Sequence, residues 1–276
     1  MSRLKPLIDF YINSSIHVAL AVFSMTYVTV LELGLPTDWP LFLFVFFSTI
    51  TGYNFVKYFG MAKFHHRRLA RWLKIIQVFS LVCFFLMLWF LWQLKPKTIV
   101  YVAVFGVVTF LYAIPFLPKR YFVDRQKNLR NIGGLKVYVI ALVWAGVTVL
   151  LPVLDKKGLF TLDVWLTAIQ RFLLVMLLML PFEIRDLQYD SLKLATIPQK
   201  IGIKNTKIMG VLVSMVFLML EFFKDQLSLK LILLTLAVTL ITLLFIVFAN
   251  KKRSNYYSSF WVESVPIFWL VLHLIF

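Results

Sequence analysis

Residues 75–94 read IIQVFSLVCFFLMLWFLWQL, twenty residues without a formal charge. As an α-helix this stretch is about 30 Å long, which matches the hydrocarbon core of a bilayer. Apolar side chains cover every side of it, so no polar face remains for water. Cys83 lies inside the run and is the chain's single cysteine, which excludes an intrachain disulfide. It reads as a small buried hydrophobe.

The rest of the chain repeats this pattern. Runs 10–31, 39–56, 98–118, 137–154 and 231–250 also lack a formal charge, while 164–182, 208–223 and 254–276 carry Arg171, Glu221 and Glu263 respectively. The 276 residues are 61% hydrophobic, 17% aromatic and 15% charged, with a mean hydropathy of +0.87. Soluble domains are about 45–50% apolar and about 25% charged. A soluble enzyme, a disordered tail and a secreted disulfide scaffold are therefore excluded. The expected fold is an all-α polytopic membrane protein of nine transmembrane helices, forming one domain over residues 1–276. With no small-residue cleavage site after its long apolar run, the first span is expected to be retained.

The net charge of +17 does not point to nucleic acid, because the basic residues come in short bursts between the apolar runs. With the amino end inside, 22 of the 29 Lys and Arg residues fall on the inward side. That alternation follows the positive-inside rule and suits an anionic cytoplasmic leaflet. The expected location is a bacterial cytoplasmic (inner) membrane, with the amino end and the basic loops cytoplasmic and membrane lipids as the surroundings.

Acidic residues number twelve. Asp9, Glu32, Asp38, Asp155, Asp163, Glu221 and Asp225 read as solvated loop or helix-end charges, and Asp124 as a partner for its basic neighbours. Glu263 reads as an ion-paired or protonated group near Lys251 to Arg253. Arg171 lies fifteen residues before Asp186, about 22 Å along a helix, and its stem is expected to snorkel outward. The segment PFEIRDLQYD (181–190) stands apart. Continued as a helix, it sets Glu183, Asp186 and Asp190 on one stripe. Three like charges there need a cation, and oxygen-only ligands suit Mg²⁺; pairing with Arg185 and Lys193 is the alternative.

After this stripe comes SLKLATIPQKIG (191–202), and before it YAIPFLPKR (112–120) and LRNIGGLKVYVIALVW (129–144). In this order, on nine helices, the segments resemble the UbiA-type intramembrane prenyltransferase superfamily. The second aspartate-rich motif of that family is similar to Glu183–Asp190, followed by a Thr196-x-Pro198 and Gly202. The resemblance implies nine helices around a central cavity open to lipid. It also implies transfer of a polyprenyl group from a prenyl diphosphate to a lipid-soluble acceptor. Mg²⁺ would be held by Glu183, Asp186 and Asp190, the two aspartates being the catalytic pair. Mg²⁺ would offset charge on the leaving diphosphate. Lys119, Lys136, Arg185 and Lys193 would hold phosphate oxygens, and Tyr112 and Tyr189 would line the cavity.

The first family motif, Asn-Asp-x-x-Asp-x-x-x-Asp, departs. Its best register begins at Asn54 and puts Phe55, Tyr58 and Ala62 at the three Asp positions; residues 39–123 contain no acid at all. Losing one charge-stabilising group typically costs about 10²–10³ in rate. Cations are the available substitutes: Lys57 lies one turn from Asn54, and Arg67 and Arg68 follow, all candidates to grip a phosphate directly. Three readings stay open at this point. The first is an active prenyltransferase. The second is an inactive relative that binds an isoprenoid or lipid, or that serves as a subunit of a membrane complex. The third is a small transporter using Arg171 or Glu263.

Overall fold

The computed structural model describes residues 4–58, 71–113, 134–156, 160–188, 195–225 and 227–276, and among them every regular element is helical. In chain order these are α1 (Leu4–Asn13), α2 (Ile16–Glu32), α3 (Trp39–Tyr58), α4 (Arg71–Gln93), α5 (Pro96–Ala113) and α6 (Leu135–Ala145). A π turn (Gly146–Leu150) joins α6 to α7 (Leu151–Asp155). Then come α8 (Leu162–Asp186), α9 (Ile197–Met219), α10 (Leu229–Val247) and, after a second π turn (Tyr257–Val262), α11 (Val265–Ile275). Among the described residues, seven helical stretches are long and apolar enough to cross a membrane, and α1 with α2 makes an eighth if that bent pair is one span. The expected span 98–118 falls on α5, whose apolar section Pro96–Leu111 is shorter; residues 114–118 lie outside the described residues.

Lipid is the solvent for the outside of this bundle. On α4, Val78, Leu81, Phe85, Trp89 and Trp92 are all exposed, and only 11% of that helix is buried, against 61% of α8. The core forms around α8: Leu174, Leu177 and Leu180 pack with Met25 of α2, Phe217 of α9 and Trp269 of α11. Because lipid tails are as apolar as leucine, packing geometry rather than water exclusion holds such helices together. Gly146 illustrates this. A Cβ there would stand 2.1 Å from the Phe105 ring, so the missing side chain is what lets α5 lie against the π turn.

The first span is not one straight helix. It breaks at Ser14–Ser15 with a bend of 58°, and Ser15 adopts a left-handed conformation with φ 64°. Several acids are also less solvated than the sequence suggests. The Asp155 carboxylate is 2% exposed; it accepts a hydrogen bond from Thr98 Oγ1 at 2.7 Å and pairs with Lys156 Nζ at 3.1 Å and Lys95 Nζ at 3.5 Å. Lys156 also reaches Asp38 at 2.5 Å. Glu221 is buried and takes Lys224 Nζ at 2.8 Å and Gln170 Nε2 at 2.9 Å. An acid at a helix end is cheap when water reaches it; these are buried instead, paired with lysines close in sequence and hydrogen-bonded by Thr98 and Gln170 of neighbouring helices.

Two outcomes test this packing. Gly146→Ala should lower the thermal midpoint in detergent, at a cost of about 1–3 kcal/mol for overpacking. Gly106→Ala, where a Cβ meets nothing within 4 Å, should leave it unchanged or raise it. At Lys156, burial alone would lower the ammonium pKa from 10.5, but hydrogen bonds and charge from Asp38 and Asp155 override it and raise it. A raised lysine pKa adds stability that is fully present below pH 10.5 and is lost as pH rises through the folded value. Thermal melts across alkaline pH should therefore show a decline that Lys156→Met flattens.

Candidate functional site

The residues expected to carry function gather at one end of the bundle, where α1 meets α2, α3 ends and α8 ends. Asn54 is buried, and its amide is fully engaged. It donates from Nδ2 to the Ser14 carbonyl at 2.9 Å and to Ser80 Oγ at 2.7 Å, and it accepts from Ser15 Oγ at 2.8 Å. Backbone groups freed by a helix break inside hydrocarbon need an internal partner, and Asn54 supplies one while bridging α3 to α4. Lys57, one turn later, is exposed and donates from Nζ to the same Ser15 hydroxyl at 3.0 Å.

Across the bundle, α8 delivers Glu183, Arg185 and Asp186. The helix ends at Asp186, with Leu187 and Gln188 in a turn, and Glu183 and Asp186 are the members of the expected stripe among the described residues. Asp190 lies outside the described residues. Glu183 is buried, and its Oε2 accepts the Ile197 N–H of the first turn of α9 at 3.2 Å. A carboxylate is favourable at a helix N-terminus, where amides lack partners. Beside it, the Thr196 N–H donates to Gln199 Oε1 at 3.0 Å, so the Thr196-x-Pro198 segment is a helix start. Gly134, at φ 77°, sits so close that a Cβ would stand 3.3 Å from the Ala195 carbonyl oxygen. That contact brings the start of α6, with Lys136 in its first turn, to the start of α9.

Arg185 is the hub of this end. Its Nε donates to Asp186 Oδ1 at 2.7 Å, Nη1 reaches Ser258 at 2.5 Å and Ser259 at 3.3 Å, and the guanidinium lies 5.2 Å from the Phe182 ring centroid. The π turn makes those serines available. In it the Glu263 N–H bonds to the Ser258 carbonyl five residues back, which turns Ser258 and Ser259 toward α8; such turns recur at functional sites. The charges acting on Glu263 are those of Lys57 and Arg185, not the expected Lys251 to Arg253. Tyr11 and His17 complete the cluster, with His17 Nδ1 2.8 Å from Tyr11 OH and Nε2 2.8 Å from the Phe260 carbonyl oxygen. Glu263 acts electrostatically on Tyr11 as well.

Of the three acids expected to hold Mg²⁺, the two among the described residues each have a protein partner. Glu183 accepts from a helix start and Asp186 pairs with Arg185, and the motif register that would bring acids from α3 brings Phe55 and Tyr58 instead. Among the described residues no group of three His, Cys, Asp or Glu side chains could hold a metal ion. Arg67, Arg68, Lys119, Tyr189 and Lys193 lie outside the described residues, as does the side chain of Tyr112 in α5. His17 and Ser258 were the members that sequence reading passed over. Their signal was available in the rarity of polar residues within apolar spans.

Asn54→Ala should leave the Ser14 carbonyl and Ser80 short of a donor and destabilise the fold by about 1–3 kcal/mol. Thermal melting in detergent, with and without added lipid, should show the same loss in both.

Neither a family model nor a curated protein matches the sequence. Two solved structures are similar along nearly its whole length. One is the apo structure of a UbiA homolog from Aeropyrum pernix K1, at 14% identity and TM-score 0.65, covering 94% of this chain and 98% of that one. The other is a structure of digeranylgeranylglyceryl phosphate synthase described in the context of its biosynthesis in membranes, at 14% identity and TM-score 0.59, covering 100% and 98%. The chain has the UbiA-type fold.

Proposed function

We propose that this protein binds an isoprenoid lipid with a phosphate or diphosphate head, and that it grips the head with protein cations in place of a bridged metal. One observation carries the reading. Where the family pattern calls for the first acidic wall, the exposed residue Lys57 makes a single hydrogen bond among the described residues, and it acts on Glu263 together with Arg185. An ammonium and a guanidinium are natural phosphate ligands, and charge-assisted bonds to them are short and strong. The neighbouring sequence adds Arg67, Arg68, Lys119 and Lys136 on the same expected side. The aromatic and aliphatic interior suits a polyprenyl tail. The fold, shared with proteins named for UbiA and for digeranylgeranylglyceryl phosphate synthase, is consistent with such a ligand.

Transfer of the prenyl group to a lipid-soluble acceptor is the second reading. Asp186 favours it, because its side chain remains 25% exposed on the motif that resembles the family's. In that reading Asp190 would join it and the head would be held by carboxylates as well as cations.

Titration of purified protein with geranylgeranyl diphosphate separates the two. In EDTA we expect saturable binding that weakens about 10- to 100-fold in Lys57→Gln and Arg185→Gln, the loss of one charge-assisted bond. Asp186→Asn should bind nearly as wild type. Binding that requires Mg²⁺ and vanishes in Asp186→Asn or Asp190→Asn, with Mg²⁺-dependent release of diphosphate, would replace the first reading with the second. No binding under either condition would overturn both and leave a role as a subunit of a membrane complex.

A further inference from the structure

The opposite end of the bundle contains a second polar cluster that the lipid-binding reading does not use. Arg171 of α8 is fully buried, at 0% exposure, rather than snorkelling outward. Its Nη2 donates to Thr29 Oγ1 of α2 at 3.1 Å, and its guanidinium lies 4.7 Å from the Trp269 ring centroid of α11. Glu32, at the end of α2, is the opposite charge that acts on it. The Glu32 side chain is 4% exposed and the His273 side chain 2%, with Glu32 Oε1 3.5 Å from His273 Nε2. Lys230 at the start of α10 also acts on His273.

What distinguishes this cluster is how much of its hydrogen-bonding capacity is open. Arg171 Nε and Nη1, Trp269 Nε1, Glu32 Oε2 and His273 Nε2 are all buried without a hydrogen-bond partner, as is Thr167 Oγ1 one turn before Arg171. Buried polar groups are bonded in the great majority of cases, and leaving one open costs about 1–3 kcal/mol. His273 Nδ1 lies 3.1 Å from the Trp269 carbonyl oxygen. A carbonyl can only accept, so Nδ1 carries a proton, and in the neutral ring the lone pair is then at Nε2. The open set therefore has donors, Arg171 and Trp269, and acceptors, Glu32 and, with its ring neutral, His273.

We propose that this cluster is a binding site for a neutral hydroxyl group, held between the Arg171 and Trp269 N–H donors and the Glu32 and His273 acceptors. A hydroxyl accepts through its lone pairs and donates its proton, so one group serves both sides. An anion would meet the Glu32 carboxylate and the imidazole lone pair; a cation would meet Arg171. The hydroxyl has two sources, an internal water or the alcohol head of a membrane lipid. Internal waters of this kind make about three hydrogen bonds to polar groups that otherwise lack them.

X-ray hydroxyl-radical footprinting of the intact protein in lipid nanodiscs, read by mass spectrometry after mixing with H₂¹⁸O, tests this directly. A resident water should oxidise Trp269 and His273 several-fold faster than Phe217, which is buried at 0% exposure against their 3% and 6%. Native mass spectrometry of the delipidated protein reads the other source: a hydroxylated lipid should remain bound. In Arg171→Met, labelling at His273 or the lipid adduct should disappear; where that variant fails to fold, Trp269→Phe, which removes one N–H, should weaken the same signal. Labelling without an adduct identifies water, and an adduct identifies the lipid. Protection of Trp269 and His273 to the level of Phe217, with no adduct, would show a dry cluster and overturn the proposal. Because none of these measurements involves Lys57 or a prenyl diphosphate, the result is independent of the isoprenoid reading.

Discussion

A helix that breaks inside hydrocarbon has no water to turn to, and one amide side chain answers that constraint here. Asn54 takes up the Ser14 carbonyl and the Ser15 hydroxyl at the point where the first span bends. It also fixes Ser80 of α4. Three elements thus depend on a single residue that water would make dispensable. The bend in turn positions Ser15 for Lys57 and brings Tyr11 over His17, so the polar end of the bundle is organised by the same exchange of hydrogen bonds.

Much of this was legible in the sequence, and for a physical reason. A bilayer of fixed thickness demands long charge-free runs, and the uninterrupted 75–94 stretch needs no tertiary information to be recognised. The acid stripe and the Thr196-x-Pro198 segment were equally visible as local patterns, and they do meet in space, through Glu183 and the Ile197 amide. What the sequence could not convey was partnership across helices. Asp155, Glu221 and Arg171 look like surface charges when read along the chain: Lys156 and Lys224 lie close by in sequence, but nothing local announces Thr98, Gln170 or Thr29. Asn54 looked like a ligand residue for the same reason. Its hydrogen bonds go to residues 26 and about 40 positions away. Backbone departures were also hidden: neither the π turn that presents Ser258 nor the left-handed Ser15 has a distinctive composition.

The difference between α3 and its family pattern carries chemical weight. An acidic wall binds a metal that binds phosphate; a basic wall meets phosphate directly and holds it without changing the bond to the prenyl carbon. Lys57 and Arg185 both act on Glu263, so one carboxylate is shared between two cations and is as much a part of the arrangement as they are.

The ion pairs of Asp38, Lys95, Asp155 and Lys156 have a mechanical consequence. They cross-link the starts of α3 and α5 to the end of α7, and Glu221 with Lys224 adds a further staple where α9 ends. The other end is assembled from a left-handed serine, a π turn and helix termini. One end of the bundle is therefore held by charge between helices, and the other by hydrogen bonds from one buried amide and one guanidinium.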